Sequence, residues 1–157
     1  MYKRILVPVN GSHASAAGLH EAVELAQQQG ASVRLIHVID KRAIAGTRPD
    51  SRGAAGLCDV LAKKGRAILD RARAFAQRQG VVVDDAVSRF ANERAASAIL
   101  ADVEKWRPDL VVMGKSARSR LSRMIRKSDA ELVAREARVP VLVVSVEDCN
   151  CAGGAAH

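Results

Sequence analysis

Aromatic residues make up only 3% of this 157-residue sequence. Its core must therefore be built from Ala, Val, Leu and Ile. Cysteine is scarce as well: Cys58, Cys149 and Cys151 form an odd set with no disulfide-framework spacing. That excludes a stapled secreted scaffold and points to a reducing compartment. No apolar run approaches the ~20 residues that cross a bilayer. The opening Met1-Tyr2-Lys3-Arg4-Ile5 runs straight into a strand pattern, without the apolar region and cleavage site of a secretory leader. The expected location is the cytoplasm, with no membrane contact.

The length is that of one ordinary domain, and 48% apolar with 27% charged residues is a globular composition. The net charge of +8 is concentrated. Between Met113 and Lys127 stand six cations (Lys115, Arg118, Arg120, Arg123, Arg126, Lys127) and no acidic residue, and without them the balance falls to +2.

The hydrophobic period alternates between strand-like and helix-like. Residues 3–9 read as a buried strand. Ser12 offers an N-cap to a helix whose face is Leu19, Ala22, Val23 and Ala26, and Gly30 ends it. Strand two is 32–39, and 40–56, rich in Gly, Arg, Pro and Ser, reads as a mobile surface loop. A helix over 57–79 carries Leu57, Leu61, Ile68, Ala72 and Phe75 as its stripe, and strand three follows at 81–88. Asn92 is the expected cap of a helix faced by Ala96, Ile99, Leu100 and Val103, which Pro108 stops. Strand four is 109–113, a loop spans 114–127, the last helix is 128–138, and strand five is 141–146.

Uniformly apolar strands separated by helices predict a five-stranded, doubly wound parallel sheet of Rossmann-like α/β class, covered on both faces. Ligands of such sheets bind beyond the carboxyl ends of the strands, where strand order reverses. Here that edge carries the loops after Val9 and after Met113. Residues 1–146 form the expected domain, and 147–157 read as a disordered tail.

Two stretches carry a family resemblance. One is Ile5-Leu6-Val7-Pro8-Val9-Asn10-Gly11-Ser12; the other is Pro108-Asp109-Leu110-Val111-Val112-Met113-Gly114, followed by Ser128 and then by Pro140-Val141-Leu142-Val143-Val144. Together with His37-Val38-Ile39-Asp40 they resemble the universal stress protein family, from about residue 3 to 146. The resemblance implies an adenine-nucleotide alpha-hydrolase-like fold, a homodimer, and a crevice for ATP, AMP or another phosphate-containing ligand. By position it assigns that crevice to Pro8, Asn10, Val38, Met113, Gly114, Ala117 and Ser128. Of the six cations, Arg118, Arg123 and Lys127 are the ones most expected to touch an anion.

Nucleotide-binding members resemble one another in a Gly-x2-Gly-x9-Gly-Ser/Thr loop, whose backbone amides cradle phosphates. This chain keeps Gly114 and Ser128 but has Ala117 and Lys127 at the other two glycine positions, and Asn10 where the family usually has Asp. Glycine lets a phosphate approach the amide closely, and a lysine side chain stands in that path. Ser128-Asp129-Ala130-Glu131 also reads as a capping box, which uses the same amides. The expectation is a degenerate crevice in a non-catalytic binding or regulatory module.

Three other readings compete. A slow ATP hydrolase or phosphotransferase would need a carboxylate and a metal beside the phosphates, and Asn10 removes the nearest carboxylate. The 115–127 stretch could hold a polyanion or nucleic acid through its cations, although it has no aromatics for stacking. Cys149, Cys151 and His157 are an incomplete metal-ligand set. Within the fold the sequence offers no catalytic residue and no metal site. Gly114-Lys115-Ser116 fails as a phosphate loop of the Walker type, because Asp109 stands where the first glycine is required. Ser12 reads as a cap and His37 as a core or rim histidine. Strand 141–146, apolar and at the expected sheet edge, calls for pairing with a second copy.

Overall fold

The computed structural model describes residues 1–42, 51–116 and 128–147. Strands and helices alternate through them: β1 (Arg4–Pro8), α1 (His13–Gln29), β2 (Ser32–Asp40), α2 (Ser51–Arg78), β3 (Val83–Ala91), α3 (Ala95–Trp106), β4 (Leu110–Ser116), α4 (Asp129–Glu136) and β5 (Val141–Val146). All five strands pair in parallel in the order β3-β2-β1-β4-β5. The chain thus winds outward from β1 to one edge, returns, and winds from β4 to the other.

The period-two alternation of the strands decides which helices cover which face. Ile5 and Val7 of β1, with Val33, Leu35 and Val112, pack against Leu19, Ala22 and Val23 of α1 and Ile68 and Ala72 of α2. Leu6, Ile36, Val111 and Met113 point the other way, onto Ala96, Ile99 and Val103 of α3 and Ala130 and Val133 of α4. Asp109 closes the amino ends of the sheet, its carboxylate accepting from the amides of Lys3 (2.8 Å) and Arg4 (3.0 Å).

Several boundaries differ from the sequence expectation. Residues 51–56, read as loop, form the first turns of α2. Gly53 and Gly56 each cost about 1 kcal/mol relative to Ala in a helix, and the long apolar stripe downstream outweighs them. β3 runs to Ala91, because its pairing follows β2 as far as Asp40. Arg94, not Asn92, is the N-cap residue of α3, and its side chain makes no cap bond. β4 continues through Gly114, Lys115 and Ser116, which pair with Val144, Ser145 and Val146. Gly114 is therefore a strand residue and not part of a loop. The expected loop residues Ala117, Arg118, Arg123 and Lys127 lie outside the described residues, as do the tail residues Cys149, Cys151 and His157.

Candidate functional site

Strand order reverses between β1 and β4, so the connections that leave their carboxyl ends run to opposite faces of the sheet and leave a crevice between them. Pro8, Val9 and Asn10 from β1 and its exit line it, with Ile36 and Val38 of β2, Ala95 and Ile99 of α3, Met113 and Gly114 of β4, and Asp129 of α4. Five residues named from the sequence, Pro8, Asn10, Val38, Met113 and Gly114, thus meet in one place. Ser128, which the resemblance also named, is the N-cap residue of α4, next to the wall residue Asp129.

The crevice encloses about 90 Å³. A second pocket of about 200 Å³ shares Asn10 and Val38 with it and continues to His37, Asp40 and Lys64. A larger groove, about 380 Å³, runs between the end of β3 and the outer flank of α3 past Arg89, Phe90 and Lys105. Volume alone would choose that groove. Position argues for the crevice, since the topological switch point is where parallel sheets hold ligands and the groove lies at a sheet edge.

The β1–α1 turn shows why Asn serves at position 10. Asn10 Oδ1 accepts from the amide of Ser12 at 2.9 Å, closing an Asx turn that Asp would close equally well. The Asn10 amide donates to Ser15 Oγ at 3.0 Å, and Ser12 Oγ caps α1 by accepting from Ser15 N at 3.1 Å. Gly11 supplies the positive φ of 80° that the turn needs.

Across the crevice the capping box of α4 is complete. Ser128 Oγ accepts from Glu131 N at 3.2 Å, and Glu131 Oε2 accepts from Ser128 N at 3.3 Å. Lys115 also pairs with Glu131. The neighbouring Asp129 reaches back to α3: its Oδ1 lies 3.4 Å from Ala96 N and 3.3 Å from Arg94 Nε. A carboxylate from α4 thereby supplies the cap that the α3 N-cap residue does not. Sequence reasoning missed this bond because 33 residues separate its partners.

His37 is buried, and its Nδ1 lies 2.8 Å from the carbonyl oxygen of Val9. Gly65 of α2 makes room for the ring, since a Cβ there would stand 2.6 Å from His37 Cδ2. At the far end of the second pocket Arg42 forks onto Asp40, with Nη2 to Oδ2 at 2.6 Å. That hydrogen bond raises the Arg42 pKa above its ordinary value, so the guanidinium stays charged throughout. Among the described residues no cluster of three or more His, Cys, Asp or Glu could hold a metal, and no helix is long and apolar enough to cross a membrane.

A parallel sheet in the order 3-2-1-4-5, with helices on both faces and a crevice at its switch point, is the doubly wound arrangement of the adenine-nucleotide alpha-hydrolase-like class of folds. Within that class, residues 1–145 match the family profile described as Universal stress protein family, and the chain belongs to that family. Universal stress protein MJ0531 of Methanocaldococcus jannaschii is 30% identical over 144 residues, covering 92% of this chain and 82% of that protein. A crystal structure of a universal stress protein family member from Burkholderia pseudomallei superposes with a TM-score of 0.73 at 28% identity, over 91% of this chain and 96% of the other. The same fold recurs in a universal stress protein in complex with cAMP (TM-score 0.65, 21% identity, 92% and 97% covered). It recurs again in a family member from Arabidopsis thaliana with AMP bound (TM-score 0.68, 16% identity, 94% and 93% covered).

Proposed function

We propose that this universal stress protein is a cytoplasmic, homodimeric binding module without a catalytic role, with residues 1–146 as its folded unit. Its crevice beyond β1 and β4 takes an adenine nucleotide or a related phosphate-containing ligand weakly. Pro8, Asn10, Val38, Met113, Gly114 and Ser128 are the proposed contacts, with Ala117, Arg118, Arg123 and Lys127 next in the motif. The observation that carries this reading is the convergence of Pro8, Asn10, Val38, Met113 and Gly114 on one crevice at the switch point. Fold relatives solved with cAMP and AMP support it.

Weakness follows from chemistry. Ala117 and Lys127 replace glycines that would let phosphate reach backbone amides, and a complete capping box already engages the amides of Ser128 and Glu131. Calorimetry with AMP and ATP tests this reading. We expect weak binding by the natural chain and tighter binding by the variant Asn10→Asp, Ala117→Gly, Lys127→Gly. Tight ATP binding by the natural chain would contradict the degenerate motif, and no binding of any adenine ligand by either protein would remove the crevice as a site. The proposed dimer joins β5 strands, whose apolar residues lie at a sheet edge.

A second reading rests on the six cations between Met113 and Lys127. They suit a polyanion held by side chains, since the planar guanidinium of Arg makes bidentate contacts with phosphate oxygens.

A further inference from the structure

Three helices begin around the crevice, and at each of them described amides are already bonded within the protein. At α1 the acceptors are Asn10 Oδ1, on the amide of Ser12, and Ser12 Oγ, on the amide of Ser15. At α4 they are Ser128 Oγ and Glu131 Oε2. At α3 the acceptor comes from another helix, as Asp129 Oδ1 on the amide of Ala96. A phosphate seeks free amides and positive potential at a helix start. Here it would find several of those donors already engaged and one carboxylate on the crevice wall.

That carboxylate belongs to Asp129. Its side chain is 41% exposed, so its charge reaches the crevice, and Arg94 at 3.3 Å offsets part of it. The rest of the lining has a different character. Ile36, Val38, Ile99 and Met113 are apolar and suit an uncharged heterocycle. Apolar walls with one fixed negative charge favour the base and sugar of a nucleotide and disfavour its phosphates.

We infer that Asp129 is the specificity-determining residue of the crevice, selecting a nucleoside-like ligand of low negative charge over a nucleoside polyphosphate. The inference rests on the nucleotide reading of the crevice proposed above and adds the residue that sets the ligand class. It also gives a positive role to a residue that the glycine motif does not specify.

The test compares adenosine and ATP on the full-length chain and on Asp129→Asn, by calorimetry at low salt. Asn keeps an Oδ1 acceptor for the Ala96 amide and the Arg94 guanidinium, and removes only the charge. We expect the natural chain to prefer adenosine. In Asp129→Asn the adenosine Kd should stay within about twofold while ATP binds about five- to tenfold tighter, as expected for one partly exposed charge. The gain should shrink at physiological salt. The second variant, Arg94→Gln, removes the guanidinium paired with that carboxylate and should shift ATP the other way, with adenosine unchanged. The cations between Met113 and Lys127 are common to all three proteins, so the differences isolate the pair.

ATP binding to the natural chain at least as tightly as adenosine would overturn the inference while leaving the crevice reading intact. Parallel changes for both ligands in Asp129→Asn, or no change in ATP affinity, would also overturn it. Failure of all three proteins to bind either ligand would overturn the crevice reading itself and the inference with it.

Discussion

Gly18 of α1 and Gly114 of β4 stand so close that neither has room for a side chain. A Cβ on Gly18 would lie 2.6 Å from the Gly114 nitrogen, and one on Gly114 would lie 1.7 Å from the carbonyl oxygen of Ala14. The neighbours are backbone atoms, so no flexible side chain can give way. Gly114→Ala should therefore push α1 off the sheet and cost about 3 kcal/mol, the upper end of overpacking effects. Gly18→Ala should cost less, because a gain of about 1 kcal/mol in helix propensity opposes its clash. Urea denaturation measures both, and a Gly114→Ala protein as stable as the natural chain would refute the contact. Gly114→Ala is consequently a poor probe of ligand binding, since lost binding would report displaced packing.

A second relationship holds α3 to the sheet. Asp102 is 2% exposed, and Arg34, 12% exposed, grips it with two bonds, Nε to Oδ2 at 2.8 Å and Nη2 to Oδ1 at 3.1 Å. Arg34 also meets Asp85 at 3.1 Å, and it lies with Arg4 over the ring of Trp106, at 5.7 and 4.4 Å respectively. Asp102→Ala would partly strand a largely buried guanidinium, left with the half-exposed Asp85 as its carboxylate partner, and should cost about 3 kcal/mol. The paired change Arg34→Met with Asp102→Leu removes both charges and should recover most of that loss. Chemical denaturation followed by the fluorescence of Trp106 checks both. Equal losses in the single and paired variants would mean that packing, not the stranded charge, sets the cost.

These two contacts show what could be read in the sequence and what could not. Each strand was visible as a short apolar run between turn residues, and α1 announced its ends through Ser12 and Gly30, because those signals act within a few residues. The place of the crevice followed from the same order, since the segments after Val9 and Met113 leave the two strands that flank the reversal, whereas its individual residues came from the family resemblance. Arg34 and Asp102 are 68 residues apart, and nothing near either one advertises the partner. Gly114 looked like the first glycine of a phosphate loop, although its closest neighbours belong to α1. Gly53 and Gly56 suggested a loop where tertiary context carries a helix through them.

The proposed dimer has a clean probe in Leu142. Val143 and Val144 are half-buried and pack against the two cores, so charging either would damage the fold as well as an interface. Leu142 is exposed on the edge strand. Leu142→Lys should leave the melting temperature of the monomer within a few degrees, since surface changes stay near 0.5 kcal/mol. It should also raise the dimer dissociation constant at least about tenfold, because a charge then faces its own copy across the twofold. Sedimentation across a concentration series reads this out. A natural chain that remains monomeric at high concentration would remove the interface.

The cations that follow the apolar run of β4 offer a separate test. Arg118, Arg123 and Lys127 belong to a stretch of six positive charges without an acidic residue, and such a stretch repels itself unless an anion offsets it. The triple change to Gln removes three of these charges. If the stretch holds phosphate groups by its side chains, tripolyphosphate should raise the melting temperature of the natural chain at low salt and leave the triple variant unmoved. The protection should fade towards physiological salt, where the screening length falls to about 8 Å, if the anion is held only at the surface. Without anion the two proteins should differ by no more than about 0.5 kcal/mol. Asp129→Asn offers a control within the same assay, since it alters one charge on the crevice wall and none in the stretch. Equal protection of the natural chain and the triple variant would leave these residues as a solvated basic face, whereas protection lost in the triple variant would tie phosphate binding to their charge.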